Sequence, residues 1–224
     1  MILAIDTTHE FGSIALFADG ELVEETLLHA ESGFGAILYG HLARLLDRNG
    51  CHVQDIDCFA AASGPGSFTG VRIGLACVKG LAEAVAKPVV AVSNLQALAA
   101  FGTVPLRATV LDARRGEIYG AVYDADLNHV SPEIVMKFPQ WLEALPSGPI
   151  EFISTDFSPF HSALAGTRFA DAPVIEAPRA LAGAIARIAF AKFREGLAVD
   201  PAEVDANYVR RSDAELLWKD IKVP

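Results

Sequence analysis

The chain has 224 residues, of which 52% are hydrophobic, so it can bury a core in one large domain or two smaller lobes. Its formal net charge of −10 argues against a protein whose own surface wraps a phosphate backbone, because such binding depends on a basic face. The three cysteines, Cys51, Cys58 and Cys77, are odd in number and have no C-x-x-C spacing. We therefore expect reduced thiols rather than zinc ligands or disulfides.

No apolar run approaches the roughly 20 residues that are needed to cross a bilayer. The first six residues lack the basic region and the cleavage site of a signal peptide. These observations predict a cytoplasmic protein that does not associate with membranes.

The predicted elements begin with three strands, over residues 2–5, 12–17 and 21–27, which form an antiparallel meander. The first strand ends at Asp6. A helix follows and ends at Asn49-Gly50. Its apolar stripe is wider than one buried face requires, and comprises Phe34, Ile37, Leu38, His41, Leu42, Leu45 and Leu46.

Residues 63–74, Ser-Gly-Pro-Gly-Ser-Phe-Thr-Gly-Val-Arg-Ile-Gly, connect a buried strand that starts at Cys58 to a second helix. Four glycines and a proline in this stretch predict a tight loop with exposed backbone N–H groups at a helix N-terminus, which could hold an anion. Two nucleotide fingerprints fail, because no lysine follows until Lys79 and the glycine spacing is one residue too long for the dinucleotide pattern. The alternative is a close strand-to-helix turn without a ligand.

A strand over 88–92 and a short helix capped by Ser93 complete the first half. Near residue 106 the pattern begins again, with a strand that ends at Asp112, a second strand over 116–123 and a turn toward a third strand. Asp6 and Asp112 thus occupy equivalent points in two strand-aspartate-turn-glycine-strand units. The remaining predicted elements are a helix near 140–145, a strand over 150–154, a helix near 161, a strand at 174–175 and a helix over 180–195.

This internal duplication predicts two α/β lobes that face each other across a cleft. The segment Gly102-Thr-Val-Pro105 is the expected junction. We expect an N-terminal lobe over residues 1–104 that carries the partner interface, and a C-terminal lobe with a tail over residues 105–224.

The duplicated aspartate turn resembles that of the actin-like ATPase superfamily, in which such turns cradle nucleotide phosphates. Within that superfamily, residues 4–8, 63–74, 111–119 and 208–215 resemble the TsaB (YeaZ) family. The resemblance implies two duplicated lobes of the actin-like ATPase, or ribonuclease H-like, fold, with mixed sheets flanked by helices.

The resemblance also implies a function. It is that of a non-catalytic subunit required for threonylcarbamoylation of the adenosine 3′ of the anticodon in tRNAs that read ANN codons. Such a subunit scaffolds and activates its catalytic paralogue TsaD, together with the ATPase TsaE, and it forms a homodimer when alone. Contact with tRNA would be made through the complex.

The residues support the absence of catalysis independently of the resemblance. TsaD carries an H-x-x-x-H metal motif, and the corresponding helix here, Ser93-Asn-Leu-Gln-Ala-Leu-Ala-Ala100, has no histidine. No pair among the six histidines has metal-ligand spacing. We therefore expect no catalytic residue, no metal and no cofactor.

An active small-molecule kinase or ATPase of the same superfamily is the alternative. Its candidate nucleotide-binding residues are Asp6, Asp112, Gly64, Gly66, Ser67 and Thr69. An aspartate at a strand end can instead simply accept turn N–H groups, and Ser67 and Thr69 can cap the loop. A kinase would also need an adenosine pocket and a catalytic base, and of its parts only the aspartates are recognisable.

The predicted partner surface lies on the first two helices, which would form a four-helix interface with a second copy or with TsaD. Its residues are Phe34, Ile37, Leu38, His41, Leu42, Leu45, Val71, Gly74, Leu75, Ala76 and Val78. Tyr208, Arg210 and Arg211 either position the C-terminal segment or touch tRNA, and the acidic residues Asp213 and Glu215 beside them favour the first role.

Overall fold

Two five-stranded mixed sheets form the framework of the computed structural model, which describes residues 1–30 and 33–210. The first sheet has the strand order β3-β2-β1-β4-β5. Its strands are β1 (Ile2–Asp6), β2 (Phe11–Ala18), β3 (Glu21–His29), β4 (Cys58–Gly64) and β5 (Val89–Ser93). β1 pairs antiparallel with β2 and parallel with β4.

The second sheet repeats this topology with the order β8-β7-β6-β9-β10. Its strands are β6 (Leu106–Asp112), β7 (Ile118–Tyr123), β8 (His129–Met136), β9 (Ile150–Ser154) and β10 (Val174–Glu176). β6 pairs antiparallel with β7 and parallel with β9, as β1 does with β2 and β4. The predicted fold class, two duplicated α/β lobes, is therefore confirmed, and Asp6 and Asp112 end the equivalent strands.

The helices lie close to their predicted positions. They are α1 (Leu38–Arg48), α2 (Phe68–Ala84), α3 (Asn94–Ala99), α4 (Phe138–Ala144), α5 (His161–Leu164) and α6 (Ala182–Arg194). α1 begins later than its apolar stripe, because Phe34–Ala36 form a 3₁₀ turn after Gly33, whose φ is 90°. Within the part of the chain that the structure describes, no helix is both long and apolar enough to span a membrane.

α6 follows the second sheet in sequence but packs against the first sheet. The Ser13 hydroxyl accepts hydrogen bonds from the N–H groups of Leu181 and Ala182, at 3.0 and 2.9 Å. The carboxylate of Glu25 accepts one from Gly183 N–H at 2.7 Å. Two side chains of the first sheet thus satisfy N–H groups that the first turn of a helix leaves free.

An apolar core lies between the two sheets, where we expected a cleft. It contains Ala4 and Phe17 from the first sheet, Leu111 and Ala121 from the second, and side chains of α3 and α6 such as Leu98. α3, from the first half of the chain, packs against the second sheet, while α6, from the second half, packs against the first sheet. Each half therefore contributes a helix to the sheet of the other half. A boundary at residue 104 separates the sheets, but not the helices that cover them, and the division into residues 1–104 and 105–224 stays a prediction.

Candidate functional site

The aspartate turn at the end of β1 is buried, and its carboxylate is hydrogen-bonded within the chain. Asp6 is 1% exposed, and its Oδ1 accepts hydrogen bonds from Thr8 N–H at 2.9 Å and Thr8 Oγ1 at 2.7 Å. The side-chain amide of Asn94 donates to Asp6 Oδ2 at 3.3 Å and to Thr8 Oγ1 at 2.9 Å. This carboxylate serves the turn, and nothing in its surroundings leaves it accessible to a magnesium ion or a water nucleophile.

The glycine loop lies directly against this turn. A Cβ on Gly66 would lie 2.6 Å from the Thr8 carbonyl oxygen, and one on Gly70 would lie 2.1 Å from the Thr7 carbonyl oxygen. The Ser67 N–H donates to Thr8 O at 2.7 Å, and Ser67 Oγ caps α2 by accepting from Gly70 N–H at 3.2 Å. The glycines therefore permit close packing, and two N–H groups that could have bound an anion are already used. The geometry favours the close-turn alternative.

Asp112, the equivalent residue in the second lobe, is exposed instead. Its Oδ1 accepts from Arg114 N–H at 2.7 Å, and its Oδ2 lies 3.5 Å from Arg114 Nη1. Burial lowers the pKa of His9, which follows the first turn; the charge of Asp6 opposes this shift and that of Arg114 adds to it. Residues of both aspartate turns, Asp6 and Arg114, thus influence the pKa of His9. Thr69, the last of the candidate nucleotide-binding residues, is an exposed residue of α2.

A cavity of about 660 Å³ opens between the lobes. It is lined by Ser93, Gln96, Glu133, Lys192 and Asn207, among others. The carboxylate of Glu133 accepts hydrogen bonds from the side chains of Ser93, Tyr123 and Asn207. The lining therefore presents a hydrogen-bonded carboxylate beside the Lys192 amine and includes no glycine-rich segment, so it differs from a phosphate-binding helix N-terminus.

Metal and thiol chemistry find little support in the described residues. They contain no group of three or more His, Cys, Asp or Glu side chains that could hold a metal ion. The three cysteines are free and buried. Burial raises the pKa of Cys58 to about 12 and that of Cys77 to about 11, so neither is a nucleophilic thiolate at neutral pH.

Most of the predicted partner-interface residues lie in the core of their own lobe. Ile37 and His41 are half-buried, and Ala76 is exposed. The buried residues are Phe34, Leu38, Leu42, Leu45, Val71, Gly74, Leu75 and Val78. They pack against Leu3, Ile5 and Ile14 on the outer side of the first sheet. The wide apolar stripe of α1 is therefore buried within its own lobe. Any partner must contact their exposed neighbours instead.

Those neighbours form what we call the α1–α2 face. Tyr39, 61% exposed, lies on α1 close enough to Cys77 on α2 to lower the pKa of that thiol, against the larger rise caused by burial, so the two helices approach each other there. The residues of the face are Tyr39, Gly40, Ala43, Phe68, Arg72, Ala76, Gly80 and Glu83, all exposed. The sequence analysis did not predict Tyr39 and Phe68 as surface residues of a partner interface. An aromatic residue that lies beside an apolar stripe, rather than within it, would have indicated them.

Residues 204–210, which we call the C-terminal strap, run from the first lobe to the second. The strap begins where Lys79 Nζ donates to Val204 O at 2.9 Å. Asn207 N–H then donates to Ser63 O at 2.8 Å, at the start of the glycine loop. A Cβ on Gly64, whose φ is 105°, would lie 3.1 Å from Asn207 O. The strap thus covers the glycine loop from outside.

The end of the strap is bound to the second lobe by Arg210. Its guanidinium donates to Ala113 O at 2.7 Å and forms an ion pair with Glu117. The ring of Tyr208 packs on Phe68, with ring centroids 5.5 Å apart. Arg210 is therefore bound within the chain, and Arg211 lies outside the described residues.

Comparison with known proteins agrees with this geometry. Residues 30–172 match the family model described as TsaD, tRNA N6-adenosine threonylcarbamoyltransferase. The chain is 34% identical over 164 residues to the tRNA threonylcarbamoyladenosine biosynthesis protein TsaB of Bacillus subtilis, covering 70% of this chain and 72% of that protein. It is 38% identical over 133 residues to the protein of the same name from Escherichia coli, covering 58% of this chain and 57% of that protein.

The solved structure of YeaZ from Pseudomonas aeruginosa superimposes with a TM-score of 0.75 at 25% sequence identity. The match covers 92% of this chain and 98% of that one. The duplicated sheets, the motif segments and these relatives agree that the chain belongs to the TsaB (YeaZ) family.

Proposed function

We propose that this protein is a non-catalytic subunit required for forming threonylcarbamoyladenosine in tRNA. In this proposal it scaffolds and activates the catalytic paralogue TsaD, together with the ATPase TsaE, in the cytoplasm. It reaches tRNA only through that complex and forms a homodimer when alone. The observation that carries the proposal is the similarity to two curated proteins that are both named for threonylcarbamoyladenosine biosynthesis.

The site geometry supports a role without catalysis. Asp6, the residue that would position magnesium in a related ATPase, is buried and bound by Thr8 and Asn94. The N–H groups of Ser67 and Gly70, which would face a phosphate, are bound within the chain. An active kinase or ATPase would have to break these hydrogen bonds and expose a buried carboxylate, so we disfavour that alternative.

A scaffold needs a surface that a partner can contact, and the α1–α2 face fits this requirement. It combines exposed aromatic side chains at Tyr39 and Phe68 with small residues at Ala76 and Gly80, which would allow a partner helix to approach closely. A standard interface buries roughly 1,600 Å² in total, which two such helices on each side can supply.

Reconstitution tests the proposal directly. Threonylcarbamoylation of tRNA is measured with purified TsaD, TsaE and an enzyme that supplies the threonylcarbamoyl-adenylate, with and without this protein. ATP turnover by this protein alone is measured alongside. We expect modification to require the protein and ATP turnover by the protein alone to stay at background. Modification that proceeds equally well without it would refute the proposal, as would steady ATP hydrolysis by the isolated protein.

A further inference from the structure

The cavity between the lobes contains two opposite charges that are not paired with each other. The carboxylate of Glu133 on β8 and the amine of Lys192 on α6 both line it, and both residues are half-buried. Neither side chain forms an ion pair with any residue among 1–30 and 33–210. Withdrawing a charge from water costs free energy, so charged groups in such places are normally paired. Within the described chain, each of these two groups therefore lacks a partner of opposite charge.

Glu133 is fixed in place and has one acceptor position to spare. Its Oε1 accepts hydrogen bonds from Ser93 Oγ and, at 2.8 Å, from the Tyr123 hydroxyl. Its Oε2 accepts one hydrogen bond from Asn207 Nδ2 at 2.5 Å. A carboxylate offers about four acceptor positions, and these three donors are uncharged. The carboxylate is thus preorganised for one further donor, at Oε2, and its negative charge is not neutralised.

Lys192 has two N–H donors that no described residue accepts. Its Nζ donates to Gln96 Oε1 at 3.1 Å, and the Gln96 amide is itself held because its Nε2 donates to Leu127 O at 3.1 Å. Burial lowers the pKa of Lys192, and the charge of Glu195 opposes this shift. The direction shows that Glu195 does not compensate the ammonium group for the water that it has lost. A carboxylate bound at Nζ would supply that compensation.

The rest of the lining is suited to a small organic molecule. His129, Val130 and Pro132 of β8 form one wall of the cavity. The His129 ring is itself packed on the ring of Tyr123, with centroids 4.6 Å apart. The volume of about 660 Å³ falls within the range of ligand sites, roughly 300–1,000 Å³.

The position of the cavity separates it from the site that a kinase or ATPase would use. Its described lining residues belong to β8, α6, the start of α3 and the C-terminal strap. None of these described lining residues belongs to an aspartate turn or to residues 63–74. A ligand in this cavity would therefore bind by its own set of contacts, not by those of a phosphate-binding turn.

We propose that this cavity binds a free amino acid, whose ammonium group donates to Glu133 Oε2 and whose carboxylate accepts from Lys192 Nζ. An amino acid carries both charges at neutral pH, so it pairs both groups at once. A simple anion would leave Glu133 unpaired, and a simple amine would leave Lys192 unpaired. An amino acid with an uncharged side chain also has no net charge, so the net charge of −10 does not repel it as it repels an anion. This inference goes beyond the proposed function, in which this protein binds no small ligand.

Ligand binding to the full chain tests the proposal. Saturation-transfer difference NMR measures the binding of the twenty standard amino acids, β-alanine and γ-aminobutyrate, the last two because their charges lie farther apart. We expect at least one of these compounds to bind with a dissociation constant of about 1 mM or tighter. Its deaminated and decarboxylated analogues should each bind about tenfold more weakly or worse, since each leaves one charge of the cavity unpaired.

Two variants test whether the ligand occupies this cavity. Lys192→Met removes the ammonium group and leaves the hydrogen bonds of Glu133 intact, and we expect it to weaken binding about tenfold or more. Glu133→Gln removes the opposite charge and should weaken binding of the same ligand to a similar extent. Lys87→Met is the matched control, because Lys87 is also half-buried but lies near Asp57, outside the cavity. It should bind the ligand as the wild type does.

The proposal is wrong if none of these compounds binds the wild-type protein more tightly than Lys192→Met. It is also wrong if the deaminated analogue binds as tightly as the amino acid, which would make the cavity a site for anions only. An equal loss of binding in Lys87→Met would place the ligand elsewhere and overturn the assignment. Binding is measured without TsaD, TsaE or tRNA, so failure here is distinguishable from failure of the proposed function.

Discussion

Gly70 sits where the first turn of α2 meets the aspartate turn. A methyl group there would lie 2.1 Å from the Thr7 carbonyl oxygen, and backbone on both sides prevents an easy shift. At Gly80, in the same helix, no atom of the described chain beyond the helix's own neighbouring backbone lies within 4 Å of the Cβ position. We expect Gly70→Ala to lower the free energy of unfolding by about 3 kcal/mol or more, and Gly80→Ala to raise it by about 0.5–1 kcal/mol. Urea unfolding at one protein concentration measures both, and equal effects would refute this account of the loop.

His9 makes stability depend on pH. Burial lowers its pKa below the ordinary 6.5, so the unfolded chain binds a proton at a higher pH than the folded chain does. The free energy of unfolding should therefore fall as the pH drops below about 6.5, and His9→Gln should flatten this decline. Urea unfolding between about pH 7.5 and 5.5 measures the difference. Glu25, whose pKa burial raises, is common to both proteins and cancels. Parallel profiles for the two proteins would contradict the prediction.

Arg210 binds the end of the C-terminal strap to the second lobe. Arg210 binds Ala113 O and Glu117, so Arg210→Ala should increase deuterium uptake over residues 113–117 and 205–210. Arg168→Ala is the control, since Arg168 also donates to a backbone carbonyl, that of Leu145, but within the second lobe. Its effect should be confined to the region of residue 145. Unchanged uptake over residues 113–117 in Arg210→Ala would show that the strap is held by other contacts.

At the scale of elements, local sequence predicted most of what the structure contains. Period-two and period-3.6 patterns located the strands and helices, and Ser67 and Ser93 cap α2 and α3 as expected. The partner face could not be located this way, because periodicity shows which residues share a face but not what covers it. Leu38, Leu42 and Leu45 share a face of α1, and the first sheet covers it.

At the scale of the whole molecule, the duplicated topology followed from the repeated strand-aspartate-turn pattern, whereas the crossing of α6 to the first sheet did not. An amphipathic helix does not encode which of two similar sheets it will cover. In the fold, Ser13 and Glu25 of the first sheet bind the N-terminal N–H groups of α6. In turn, α6 covers the apolar inner face of the first sheet.

Because α6 from the second half of the chain covers the first sheet, a chain cut to residues 1–104 should fail to fold. It would expose the apolar face that α6 covers, around Ala4 and Phe17, while the full chain should unfold in one cooperative transition. Circular dichroism during urea unfolding measures both. A sigmoidal transition from the fragment would show that the first lobe is an independent domain.

We propose that the protein acts through its α1–α2 face and not through its aspartate turns. The most direct test is the initial rate of tRNA threonylcarbamoylation in the reconstituted system with two variants. Ala76→Glu places a charge on the exposed face without touching the core, which Leu42→Glu would disrupt because Leu42 is 4% exposed. Asp112→Asn removes the one exposed aspartate of the two turns and keeps its hydrogen-bond acceptor. We predict at least a tenfold lower rate with Ala76→Glu and a rate close to wild type with Asp112→Asn. A normal rate with Ala76→Glu and a lost rate with Asp112→Asn would contradict the account.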